Sequence, residues 1–115
     1  MERVRVIRLL NVQEGKEADF VDSYQGVRAR ALRFPGHLGE QLCRSIENPT
    51  QWLLTSEWES LESVKRWRSD PEHQALVEPM NACLHDDRWT AVFQVRETVD
   101  KQGSVRLEDR KARQG

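Results

Sequence analysis

Apolar and polar positions change period several times along this chain, and the changes mark out its elements. Residues 3–12 (RVRVIRLLNV) are β-branched and roughly alternating, which predicts a strand. After a turn around Gly15, apolar side chains recur at helical spacing over residues 18–34, at Phe20, Tyr24, Val27, Ala31 and Phe34. Glu17 and Asp19 lie near the start of this helix and Arg28, Arg30 and Arg33 near its end, as the helix dipole favours. Pro35-Gly36 stops it. Residues 38–46 and 51–58 read as a second and third strand joined through Asn48-Pro49-Thr50. Ser60 is placed to cap a short helix over residues 61–68, with Leu61, Val64 and Trp67 at helical spacing. Asp70-Pro71 reads as the cap and first position of a third helix carrying Ala75, Leu76, Met80 and Cys83, with Pro79 as a kink. Residues 88–98 (RWTAVFQVRET) alternate and predict a fourth strand. The domain is expected over residues 1–99. Residues 100–115, with one Val and one Leu among charges, read as a flexible tail or an arm onto a partner.

The predicted order, β-α-β-β-α-α-β, is an α+β arrangement of the ferredoxin-like split βαβ kind. It places helices on one face of a four-stranded antiparallel sheet. The first strand offers Val4, Val6 and Leu10 to one face and Ile7 and Leu9 to the other. The third strand does the same with Trp52, Leu54 and Trp58 against Leu53. A sheet apolar on both faces must bury both. A second copy packed face to face is the simplest cover, so a two-fold homodimer is expected. Composition agrees: 37% hydrophobic and 32% charged residues leave a thin core for 115 residues.

A net charge of -1 offers no whole-domain case for binding nucleic acid or an anionic membrane. The opening MERVRVIRLL carries Arg5 and Arg8 within its apolar run, unlike a signal peptide, and no segment is long enough to span a membrane. Cys43 and Cys83 lack metal-ligand spacing and read as reduced, buried thiols of a cytoplasmic protein, with a disulfide between them left open. His85 with Asp86 and Asp87 reads as a solvated turn, and no phosphate-binding glycine loop is present.

The apolar positions Phe20 and Tyr24, the run Pro35-Gly36-His37-Leu38-Gly39, Leu42-Cys43-Arg44-Ser45, Asn48-Pro49, Ser56-Glu57-Trp58-Glu59-Ser60, Trp67 and Glu72-His73 together resemble the antibiotic biosynthesis monooxygenase family. These proteins are dimeric α+β barrels. The likeness covers roughly residues 3–98 and is nearest to the polyketide anthrone and angucycline oxygenases. It implies an O2-dependent oxidation of a polycyclic aromatic phenol, to a quinone or with ring opening. No cofactor is tightly bound in such an enzyme; a variant draws on reduced flavin from a separate reductase. In that branch a Trp closes the third strand, matched by Trp58, while the family's Asn four residues earlier is replaced by Leu54, which cannot hydrogen-bond. The heme-degrading branch would need an Asn at Arg8, a Trp matched by Trp67, and an axial His at Leu76 or Val77; an aliphatic side chain cannot ligate iron. A non-catalytic barrel that binds a small aromatic ligand, or a heme-binding relative, is the alternative class of reading.

Ground-state O2 reacts slowly with closed-shell organics, and a phenolate overcomes this by donating one electron. A site for such chemistry needs aromatic and aliphatic walls, a cation to favour the phenolate, and exclusion of water. Arg8, set among Val6, Ile7, Leu9 and Leu10, is the expected cation, or else a snorkelling arginine paired with Glu40 or Glu57. Trp58 and Trp67 either wall the pocket or fill the core, and His37 and Met80 are expected at the pocket beside Leu54 and Trp67. His73 is a candidate base or else a capping group. Trp52 and Trp89 read as packing or dimer contacts.

Overall fold

Alternation in the first strand decides which side chains meet the helices. In the computed structural model, which describes residues 2–87 and 89–108, β1 (Val4–Asn11) is the third of four strands. It is followed by α1 (Glu17–Ala31), β2 (His37–Arg44), β3 (Gln51–Trp58), α2 (Leu61–Ser69), α3 (Pro71–Asn81) and β4 (Trp89–Gln94). The antiparallel sheet has the order β2-β3-β1-β4, and the helices lie on one face of it. This is the α+β architecture expected from the sequence, with element ends shifted by a few residues. Residue 88, the expected start of the fourth strand, lies outside the described residues.

The helix-facing set is the even-numbered one. Val4, Val6 and Leu10 of β1 and Leu54 and Trp58 of β3 are buried. They form two clusters. Leu10 and Leu54 pack with Phe20, Tyr24 and Val27 of α1 and with Met80. Val4, Val6 and Trp58 pack with Val64 of α2. Ser60 caps α2 by accepting the Ser63 amide, and Asp70 caps α3 by accepting that of His73, so both sequence-predicted caps are formed. Asp70 also pairs with Arg30, which ties the start of α3 to α1 and holds the Asp70 carboxyl below its ordinary range.

The opposite face carries Ile7, Leu9, Leu53 and Ala91, together with Trp89 and Phe93, which are 50% and 49% exposed. Cys43 points this way too and is exposed, which corrects the expectation of two buried thiols; only Cys83 is buried, and both are free. Trp52 takes the packing role, its ring 5.3 Å from that of Phe20. Arg3 and Arg5 share Glu57, and Arg3 reaches Glu108.

The chain departs from expectation after β4. Instead of one strand to residue 98 and a loose tail, β5 (Glu97–Val99) and β6 (Val105–Leu107) form a separate antiparallel hairpin. Asp100 turns it by accepting the Gln102 and Ser104 amides, a local hydrogen-bonding habit of Asp that composition alone hides. Residues 109–115 of the expected tail lie outside the described residues.

Gly36 sets the approach of β2 to α2. Its φ is +95°, and an added Cβ would lie 2.2 Å from Ser63 Oγ, whereas one at Gly15 (φ +83°) would meet nothing within 4 Å. Gly36→Ala should therefore cost about 2 kcal/mol or more in urea unfolding, and Gly15→Ala only about 1 kcal/mol. Equal losses would show that backbone conformation alone, without the Ser63 contact, sets the cost.

Candidate active site

Between the two buried clusters the sheet and helices part to leave a cavity of about 500 Å³. Its floor is the covered sheet face, and its register can be read as two rows. One row runs Glu40, Ser56, Val6, Val92; the next runs Leu42, Leu54, Arg8, Thr90. Val27 of α1, Val64 and Trp67 of α2, and His73, Val77 and Asn81 of α3 close the roof.

Arg8 points into this layer because of its even position on β1. A charge there is costly unless it is partnered, and its Nη2 donates to Asn81 Oδ1 at 3.3 Å. Glu57, one of the acids expected beside it, lies on the opposite face with Arg3 and Arg5.

Three rings, Trp58, Trp67 and His73, run along the wall in sequence, with His37 behind the first. His37 meets Trp58 edge-on at 5.0 Å, Trp58 lies 5.6 Å from Trp67, and Trp67 stacks on His73 at 3.9 Å with 24° between planes. The Trp58 indole N–H donates to Ser56 Oγ at 3.0 Å, which satisfies it inside the protein and leaves the ring as an apolar wall. His73 Nδ1 lies 2.9 Å from the Trp67 carbonyl. Since that oxygen can only accept, Nδ1 carries the proton and Nε2 the lone pair.

Arg8, Leu54, Trp58, Trp67 and His73 thus line one cavity. Met80 and His37 do not. Met80 is fully buried in the cluster with Leu10 and Phe20, because it faces the core side of α3 rather than the cavity. His37 lies behind the wall, its side chain 2% exposed, with Nε2 2.9 Å from Glu40 Oε1. His73 is neither a surface group nor only a cap; it is half-buried against Trp67.

Glu40 is the wall residue that the sequence did not single out as a site. On an unbroken strand, residues three apart point to opposite faces. Here the register slips between His37, opposite Trp58, and Gly39, opposite Glu57, so Leu38 is an extra residue. The bulge reverses the alternation and puts His37 and Glu40 on the same face. The Tyr24 hydroxyl donates to Glu40 Oε2. Burial and the Glu40 carboxylate both push the Tyr24 phenol well above its ordinary value, so it remains a donor. Gly39 inside a strand was the one available sign of the bulge. Among the described residues no group of three or more His, Cys, Asp or Glu is placed to hold a metal ion, and no helix is long and apolar enough to cross a membrane.

Burial, with help from Arg8, pulls the His73 imidazole below its ordinary 6.5, against the Trp67 carbonyl and Asp70. The unfolded chain therefore binds this proton more readily than the folded one. His73 contributes stability that is complete above about pH 6.5 and is lost as pH falls from there toward its folded value. Urea stability should decline through mildly acid pH in the native protein and less steeply in His73→Gln. Parallel declines would remove His73 as the cause.

The profile of one known family, described as antibiotic biosynthesis monooxygenase, matches residues 3–79. The 42.8 kDa protein in the whiE locus of Streptomyces coelicolor is 46% identical over 96 residues, which are 84% of this chain and 24% of that protein. The polyketide synthase CurD of Streptomyces cyaneus is 38% identical over 96 residues, again 84% of this chain and 26% of the relative. The chain thus spans about a quarter of the length of these curated relatives. Among solved structures, SnoaB of Streptomyces nogalater, a cofactor-independent oxygenase, superposes with a TM-score of 0.78 at 18% identity, covering 88% of this chain and 100% of SnoaB; at that identity the likeness is one of fold. With most of its length matched by the family profile and its fold shared, the chain belongs to the antibiotic biosynthesis monooxygenase family.

Proposed function

We propose that this chain is a monooxygenase that oxidises a polycyclic aromatic phenol, a polyketide intermediate, with O2 and without a tightly bound cofactor. The observation that carries this reading is a cavity with indole and aliphatic walls and a guanidinium on its floor. A flat ring system fits between Trp58, Trp67, Leu54 and Val27, and those apolar walls keep water from the reacting carbon. Arg8, oriented by Asn81, lowers the substrate's pKa by stabilising its phenolate in a site of low dielectric. The electron-rich phenolate then transfers one electron to O2, and the radical pair combines. For an anthrone-type methylene the balance is complete without a reductant: the CH2 becomes C=O, and its two hydrogens leave with the second oxygen atom as water. The relatives' names, a polyketide synthase protein and a cofactor-independent oxygenase, support this substrate class and chemistry. His73, with a lone pair on Nε2, is one group able to move a proton in the site.

The reading includes a two-fold homodimer. The uncovered sheet face presents Ile7, Leu9 and Leu53 with the half-exposed rings of Trp89 and Phe93, a large apolar surface for a lone chain. A second copy packed face to face would bury it. Within that dimer the hairpin of β5 and β6, with exposed Val99 and Val105, serves as the arm.

Oxygen uptake with an anthrone or naphthol panel, with and without reduced flavin, tests the activity. Arg8→Met should lower kcat about 100-fold or more while its thermal midpoint changes little; full activity in this variant would remove the role of Arg8. In sedimentation equilibrium the protein should have twice its chain mass of 13.5 kDa, and Phe93→Glu should run as a monomer. A monomeric native protein would overturn the dimer.

A further inference from the structure

Two polar side chains behind the cavity wall, Tyr24 and His37, hold a third that lies on it, Glu40, and the phenolate chemistry above leaves their purpose open. Glu40 lies on the cavity wall with its side chain 9% exposed. Tyr24 of α1 donates to one of its oxygens, and His37 Nε2 sits 2.9 Å from the other. An ionised carboxylate only accepts, so with Glu40 charged both neighbours act as donors and hold its plane. The bulge at Leu38 is what brings His37 to this side, and the edge of Trp58 fixes the imidazole. Arg8 stands on the same floor two strands over and two residues along, about 12 Å away between Cα positions. A carboxylate and a guanidinium at opposite corners of an aromatic-walled pocket have distinct tasks for a flat phenol: one removes a proton and the other steadies the anion.

Building on the proposed oxidation, we infer that Glu40 is the proton acceptor of this pocket, with Tyr24 and His37 as positioning residues. The substrate hydroxyl gives its proton to the Glu40 carboxylate and keeps the electron pair as phenolate. Glu40 passes that proton to solvent before the next turnover, and the oxygen that departs as water takes its protons from solvent, so the balance is unchanged and no outside reductant is consumed.

Charged and titratable groups face Glu40 from each surrounding element. Tyr24, with Arg28 over its ring at 5.9 Å, comes from α1. His37 is on its own strand, and Arg8 on β1, Arg68 on α2 and His73 on α3 share the cavity wall. Tyr24→Phe removes one of the two donors that hold the carboxylate plane, so it should lower kcat for an un-ionised substrate several-fold with KM nearly unchanged and leave an already ionised one little affected.

The test uses two probes, 1-naphthol, un-ionised at neutral pH, and 4-nitro-1-naphthol, already ionised there. In anaerobic stopped flow the phenolate absorption band of 1-naphthol should rise with the native protein and about 100-fold more slowly with Glu40→Gln. In air, Glu40→Gln should lower kcat for an un-ionised substrate about 100-fold or more, with KM nearly unchanged, and leave any turnover of the nitro compound within a few-fold. The anaerobic band needs no turnover, so it tests Glu40 even where O2 uptake fails and the oxygenase reading falls. A band that forms as fast in Glu40→Gln as in the native protein overturns the inference. Equal losses for both probes also overturn it, since they would indicate a packing role. Should Glu40→Gln not fold, a Tyr24→Phe variant whose kcat for the un-ionised substrate is unchanged overturns it independently.

Discussion

Side chains on a β-strand alternate between two faces, and only one face of this four-stranded sheet is covered by helices. Everything at the site follows from that constraint. Apolar even positions on β1 and β3 make the core, while the few polar ones in the same set, Arg8 and Ser56, become the floor of the cavity. A polar group buried in such a layer without a partner costs about 1–3 kcal/mol. Three here have partners: Arg8 donates to Asn81, Ser56 accepts from Trp58, and Glu40 accepts from Tyr24, whereas the buried Trp52 indole N–H makes no hydrogen bond among the described residues. These pairings hold the side chains at defined corners of the cavity before any ligand arrives, which is what a site that stabilises charge requires.

The bulge in β2 alters the constraint at one point. By inserting Leu38 it reverses the alternation and brings His37 behind Trp58, in reach of Glu40. The rings of Trp58, Trp67 and His73 form a continuous wall backed by His37, each held on a different element or element end. The same geometry removes Trp58 from hydrogen-bonding duty toward a ligand, because its N–H is already given to Ser56. The loss of the family's Asn at Leu54 is thus set beside polar groups placed elsewhere on the wall. Glu40 and Arg8 lie on separate rows of the sheet.

Much of this was legible in the chain itself. The caps at Ser60 and Asp70, the helix stop at Pro35-Gly36 and the alternation of β1, β3 and β4 are local signals, each written within a few residues. Arg8, Leu54, Trp58, Trp67 and His73 were found because strand parity and helical spacing carry them to one layer. Met80 was misplaced because a helix has core-facing and cavity-facing stripes that spacing alone cannot tell apart. Cys43 was misplaced because apolar character does not say which sheet face is covered. The hairpin after β4 escaped because its strands are short and polar and its turn depends on one Asp side chain.

By itself, then, the sequence determined the elements through β4, their order and the fact that helices cover one face of the sheet, since hydrophobic period and end signals act over a turn of helix or a few residues of strand. The tertiary structure decided the rest. It paired Arg8 with Asn81 across 73 positions, stacked His73 on Trp67, and used one extra residue in β2 to join Tyr24, Glu40 and His37. Register and bulges depend on how distant strands meet, and no local pattern encodes that meeting.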